Sequence, residues 1–144
     1  MKTIVAAIDF SDLTRRVVET ARDQAEAFGA ELHLIHVVEP EPTYTAYGFT
    51  PDEFPAMNLF QEEARKRAQT KLDEVAAAVP GAKVVLVDGS PLHGILEHAK
   101  SCGADLVVVG SHGHGMVASL LLGSVAEGLV RKAAVPTMVV PAQH

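Results

Sequence analysis

The chain has 144 residues, 48% hydrophobic and 21% charged, with a formal net charge of -6 and a pI of about 5.6. That length can bury one full core without disulfides or metals. The acidic balance argues against nucleic acid as the main partner, because no surplus of Lys and Arg is present to displace counterions. A single phosphate ligand stays open, since backbone N–H groups and a metal ion can hold one. Cys102 is the only cysteine, so no internal disulfide can form and a reducing compartment is expected. No apolar run approaches the roughly 18 residues of a membrane span. The run that opens MKTIVAAIDF stops at Asp9, too short for the apolar region of a signal peptide. A cytoplasmic protein without membrane association is expected.

The first apolar, β-branched run covers 3–8 and reads as a strand. Ser11 can cap a helix reaching Phe28, and Gly29 ends it. A second strand is expected at 32–38. The segment 39–57, EPEPTYTAYGFTPDEFPAM, holds four of the eight prolines and both tyrosines. A connection of this length in a small domain is a lid, a partner surface or a solvated insertion. A helix free of Gly and Pro runs from about 58 to Val79 and stops at Pro80-Gly81. A third strand follows at 83–87. Ser90-Pro91 opens another helix, with Pro at its first position, and Cys102-Gly103 closes it. A fourth strand lies at 106–109. The last helix spans 124–133, with Ser124 and Glu127 at capping-box spacing and Arg131 and Lys132 at its negative end. Pro136 bars its continuation before a final strand at 137–140.

Strands and helices alternate throughout, and most strands are continuously apolar. This predicts a single-domain α/β fold with an open five-stranded parallel sheet and helices on both faces. Right-handed crossovers favour the order 3-2-1-4-5. The crevice between the carboxyl ends of strands 1 and 4 is then the topological switch point, where such sheets bind ligands. Asp9 follows the first of these strands and Gly110 the other.

Gly110 opens the stretch GSHGHGMVASLLLGSV. Its glycines could simply supply positive φ in a connection. Three features point instead to an anion cradle. The stretch leaves a buried strand at the switch point. Gly123-Ser124 opens a helix whose free N–H groups and dipole favour negative charge. Ser111 and Ser124 add hydroxyl donors. Asp9 also admits a plainer reading, as an acid favoured by the helix dipole, and Ser124 one as an N-cap.

Gly110, two residues, Gly113, nine residues and Gly123-Ser124 form a G-x2-G-x9-G-[S/T] pattern. With TIVAAIDFSDLTRRVVETA, LHLIHVVEP, DGSPLHGILEHAKSCGADLVVVGSHG and VPTMVV, the pattern resembles the ATP-binding branch of the universal stress protein family over nearly the whole chain. The resemblance implies one nucleotide-binding domain over 1–144, with an adenine nucleotide in the crevice. Asp9 and the backbone of Ala7 and Ile8 would meet ribose or base, and Val38 would present backbone atoms to adenine. Gly110 and Gly113 would line ribose and phosphates. Gly123, Ser124 and Val125 would hold the phosphate tail. Mg2+ or Mn2+ would sit among the phosphate oxygens. The resemblance also implies a homodimer through the edge strand 136–140, the kind of edge that tends to be paired or covered.

Turnover is not expected to be efficient. A P-loop would supply a Lys to the phosphates, and no Lys or Arg lies between Gly110 and Val125. His112, His114 and a metal ion are the most the segment offers, and no catalytic residue is assigned. The alternatives are a slow metal-dependent ATPase at the same site and a nucleotide-independent interaction or chaperone-like module. A phospho-receiver domain would need a Lys after the fifth strand, which ends VVPAQH. No dedicated transition-metal site is expected. His33 and His36 face opposite sides of a strand, His93 and His98 are five apart on a helix, and Cys102 reads as a small packed residue.

Overall fold

The computed structural model describes residues 1–40, 55–113 and 122–142, the side chains of 55–58 excepted. The segments 41–54, 114–121 and 143–144 lie outside the described residues, and with them most of the 39–57 connection and His114. Among the described residues nine elements follow one another: β1 (Thr3–Ala7), α1 (Thr14–Phe28), β2 (Glu31–Val38), α2 (Pro55–Ala76), β3 (Lys83–Asp88), α3 (Pro91–Ser101), β4 (Leu106–Gly110), α4 (Ser124–Lys132) and β5 (Thr137–Val140). The five strands form one parallel sheet in the order β3-β2-β1-β4-β5.

Strand periodicity divides the core in two. Ile4, Ala6, Leu32, Leu34, Leu106 and Val108 point to the face covered by Val17, Val18 and Ala21 of α1 and Leu72 of α2. Val5, Ile35, Val37, Val107 and Val109 point to the other, against Ile95 of α3 and Ala126 and Leu129 of α4. Central strands buried on both sides need apolar residues at nearly every position, which is why β1 and β4 read as unbroken runs. The helices on the second face lie close to the sheet. A Cβ at Gly94 would fall 2.8 Å from Val37 Cγ2.

The helix starts differ from the expected caps. Ser11 does not cap α1: residues 11–13 form a separate turn in which the Ser11 hydroxyl accepts the Leu13 N–H at 3.3 Å. Asp9 Oδ1 accepts the Ser11 N–H at 2.9 Å. These local side-chain acceptors compete with helix continuation and delay α1 to Thr14. The Ser124–Glu127 capping box does not form either, because Gly123 holds the cap position and Ser124 is the first helical residue. The helix ends agree better with expectation. Gly29 takes φ 62° after α1, and its N–H reaches back to Ala25 and Glu26 carbonyls. Pro91 opens α3 as its first residue.

Candidate functional site

The carboxyl ends of β1, β2 and β4, the start of α4 and the middle of α2 enclose a cavity of about 590 Å³. This volume lies in the usual range of small-molecule sites. Ala7, Ile8, Asp9, Val38, Gly110, Gly113, Gly123, Ser124 and Val125 all line it. Ser111 does not. Its N–H donates to the Val140 carbonyl at 2.8 Å and its carbonyl accepts the Gly123 N–H at 2.6 Å. Ser111 therefore acts through its backbone, which joins the end of β4 to β5 and to the start of α4. Its hydroxyl lies 3.5 Å from His112 Nδ1 rather than on the cavity wall.

Positive φ does not explain the glycines of the site. Gly29, Gly81, Gly89 and Gly103 are the described glycines with positive φ, and none of them belongs to the pattern. Close approach explains them instead. A Cβ at Gly113 would stand 2.7 Å from Asp9 Oδ2. A Cβ at Gly123 would stand 3.1 Å from the His112 Cα and 3.2 Å from the Ser111 carbonyl oxygen. The missing side chains let the ends of β1, β4 and α4 converge on one point. There the first turn of α4 presents N–H groups that helix geometry leaves without intrahelical partners.

Asp9 sits at a constrained bend. Phe10, immediately after it, has φ 61° and is the one non-glycine with positive φ among the described residues. For a bulky side chain that conformation is an outlier and persists only where its surroundings hold it. The Phe10 ring lies against His36, with centroids 4.3 Å apart, and Lys71 Nζ stands 5.6 Å from the Phe10 centroid. His36 in turn bonds through Nδ1 to the Ile8 carbonyl oxygen at 2.7 Å. The carbonyl is an acceptor only, so Nδ1 carries a proton and donates it.

The structure adds cations that are absent from the glycine segment. Arg67 and Lys71 of α2 also line the cavity. They are one helical turn apart and so share a face. Arg65 ties the same helix to the sheet through a 2.6 Å ion pair with Asp88 at the end of β3. In the sequence Arg67 and Lys71 are indistinguishable from a solvated helix face. The only available signal was their spacing. His112 is buried, and its Nε2 stands 3.5 Å from Asp12 Oδ1.

A family model described as the universal stress protein family matches residues 1–141. The chain belongs to the universal stress protein family. Its sequence is 36% identical over 145 residues to a universal stress protein of Thermus aquaticus encoded in the QAH/OAS sulfhydrylase 3′ region, spanning 96% of this chain and 98% of that one. Among solved structures it resembles protein MJ0577, with a TM-score of 0.84, 25% identity, and 99% and 97% of the two chains covered. It also resembles a universal stress protein solved in complex with cAMP, with a TM-score of 0.62, 25% identity, and 99% and 98% covered. This universal stress protein thus has the five-stranded order and the switch-point crevice expected from its alternating elements. Among its described residues no helix is long and apolar enough to cross a membrane.

Proposed function

We propose that this universal stress protein binds ATP in the switch-point cavity and acts as a nucleotide-responsive regulator without efficient turnover. One observation carries the reading: Gly110, Gly113 and Gly123-Ser124 line one cavity together with Asp9, Arg67 and Lys71, and Gly113 packs directly on Asp9. The wall lacks the Cβ atoms that would block phosphate oxygens, and a helix start faces the same space. The family member solved with cAMP supports an adenine nucleotide as the ligand class.

In this reading Ala7, Ile8 and Asp9 meet the base and ribose, and Val38 offers backbone atoms to adenine. The Val38 carbonyl already accepts the Gly89 N–H at 2.9 Å and keeps a second lone pair. Gly123, Ser124 and Val125 face the phosphate tail, with Arg67 and Lys71 supplying positive charge. Mg2+ or Mn2+ fits here as an ion held through phosphate oxygens, where it would offset their charge. No Lys or Arg lies between Gly110 and Val125 to act on a transferred phosphoryl group, which favours binding over turnover. The proposal includes cytoplasmic action and a homodimer through β5, which lies at one edge of the sheet.

Calorimetry of ATP with Mg2+, with Gly113→Val beside the wild type, tests the site. Binding lost in a variant that keeps its circular dichroism supports it. A wild type freed of carried-over nucleotide that binds no ATP refutes it. Light scattering tests the assembly, and a monomer at micromolar concentration removes the dimer. A nucleotide-controlled partner surface in 39–57 requires different protease cleavage there with and without ATP.

A further inference from the structure

At the amino-terminal end of β2, away from the nucleotide cavity, three metal-ligating side chains meet. His33 lies on the same face of the sheet as Ile35 and Val37, the face covered by α3. Its Nδ1 is 2.8 Å from His98 Nε2. His98 and Cys102 are four residues apart at the end of α3 and therefore share a helix face. The His33, His98 and Cys102 donor atoms all lie within 4.8 Å of one another. None of the three lines the nucleotide cavity, whose lining on β2 begins at Ile35, two strand residues or roughly 7 Å from His33.

We propose that His33, His98 and Cys102 form a binding site for a borderline-soft divalent cation of the zinc class. Two imidazoles and a thiol are the donor set such an ion prefers. A tetrahedral zinc with bonds of about 2.0–2.3 Å sets its ligands roughly 3.3–3.7 Å apart. The two imidazoles must open by about half an ångström from hydrogen-bond contact and the thiol must close on them, within the reach of side-chain rotation. Three protein ligands leave a fourth position for water or another ligand.

A carboxylate orients the buried ligand. Glu31 Oε1 accepts from His33 Nε2 at 2.7 Å and is itself held by Lys83 Nζ at 2.7 Å. That bond places a proton on Nε2, so Nδ1 is the ring nitrogen that faces the cluster. Metal-binding histidines are ordinarily fixed in this way by an outer carboxylate. His33 is 6% exposed, while His98 and Cys102 are half-buried, so the cluster is approached from the α3 side. Burial raises the Cys102 thiol above its ordinary range, and a coordinating cation displaces that proton. In the sequence the triad was hidden, because His33 is distant from the His98-x3-Cys102 pair and only the packing of α3 on β2 joins them.

Cobalt is the probe, because its thiolate complexes have a charge-transfer absorption in the near ultraviolet. Cys102 is the only cysteine, so that band reports this site alone. Untagged, chelator-washed wild type titrated with Co2+ is expected to develop the band at one equivalent and to lose it when Zn2+ is added. Cys102→Ser should abolish the band. His98→Ala should weaken cobalt binding at least tenfold, and Glu31→Gln by about 10- to 100-fold. His93→Ala, an exposed histidine on α3, should change nothing. Cys102→Ser is nearly isosteric, and circular dichroism checks its fold. A wild type without the band overturns the proposal and leaves the cluster as packed hydrogen bonds. So does a band insensitive to both His33→Ala and His98→Ala, or zinc binding retained in Cys102→Ser at wild-type strength.

Discussion

Asp9 and Gly113 meet at the cavity from the loops that follow the neighbouring strands β1 and β4: a Cβ at position 113 would lie 2.7 Å from Asp9 Oδ2. This contact couples the acidic residue after β1 to the glycine after β4. Gly113→Ala should therefore either displace the Asp9 carboxylate or push the loop outward. ATP affinity is expected to fall at least tenfold, about 1.4 kcal/mol. Asp9→Ala in the same chain removes the clash. The double variant should bind better than the two single losses predict, and a double-mutant cycle by calorimetry measures that coupling. Strictly additive losses would show that the two residues act separately.

Arg67 and Lys71 reach the cavity from α2. If they serve a phosphate tail, Arg67→Ala and Lys71→Ala should each weaken ATP by about two- to fivefold, the scale of exposed ion pairs. Adenosine binding should hardly change. The effect should shrink as salt is raised, because exposed charges are screened. Equal losses for adenosine and ATP would place these residues at the base rather than the phosphates.

Two glycines of the helix layer should differ in cost. At Gly94 a Cβ meets Val37 Cγ2 at 2.8 Å and Val87 Cγ2 at 3.3 Å, both on stiff β-branched strand side chains. Gly94→Ala should destabilise by about 1–2 kcal/mol, overpacking outweighing the gain in helix propensity. At Gly128 the nearest atom is Leu92 Cδ2, 2.5 Å away at the end of a flexible side chain. Gly128→Ala should cost less, because Leu92 can rotate aside. Urea unfolding of both variants would rank them, and the reverse order would refute the argument.

Asp105 fastens the start of β1. Its Oδ2 accepts the Lys2 and Thr3 N–H groups at 2.7 and 3.0 Å, and these bonds hold its carboxyl below the ordinary 3.8. A lowered folded value means that the carboxylate stabilises the protein above the unfolded value. That contribution is lost as pH falls through the folded one. Asp105→Asn should lower the melting temperature at pH 7, and the gap from wild type should close as pH drops below 3.8. A gap unchanged with pH would assign the loss to geometry rather than charge.

The elements and their order were legible because burial on both sheet faces writes continuous apolar runs, and crossovers allow few arrangements. The cavity wall was legible in part. Nine of the ten expected residues line it, while Ser111 lies outside the lining with its hydroxyl 3.5 Å from His112 Nδ1. Helix starts were less so. Ser11 and Ser124 each suited a cap, yet Leu13 and Gly123 hold the cap positions of α1 and α4.

By itself the sequence determined the alternation of strands and helices and the glycine pattern at the switch point, because each rests on local periodicity or spacing, and crossover handedness then favoured the sheet order. Only the tertiary structure decided that those glycines serve close approach rather than positive φ. Only it brought Arg67 and Lys71 across from α2, and His33 against His98 and Cys102. The reason is the same in each case. These relationships join residues far apart in the chain, and one-dimensional spacing does not record which helix face packs on which strand.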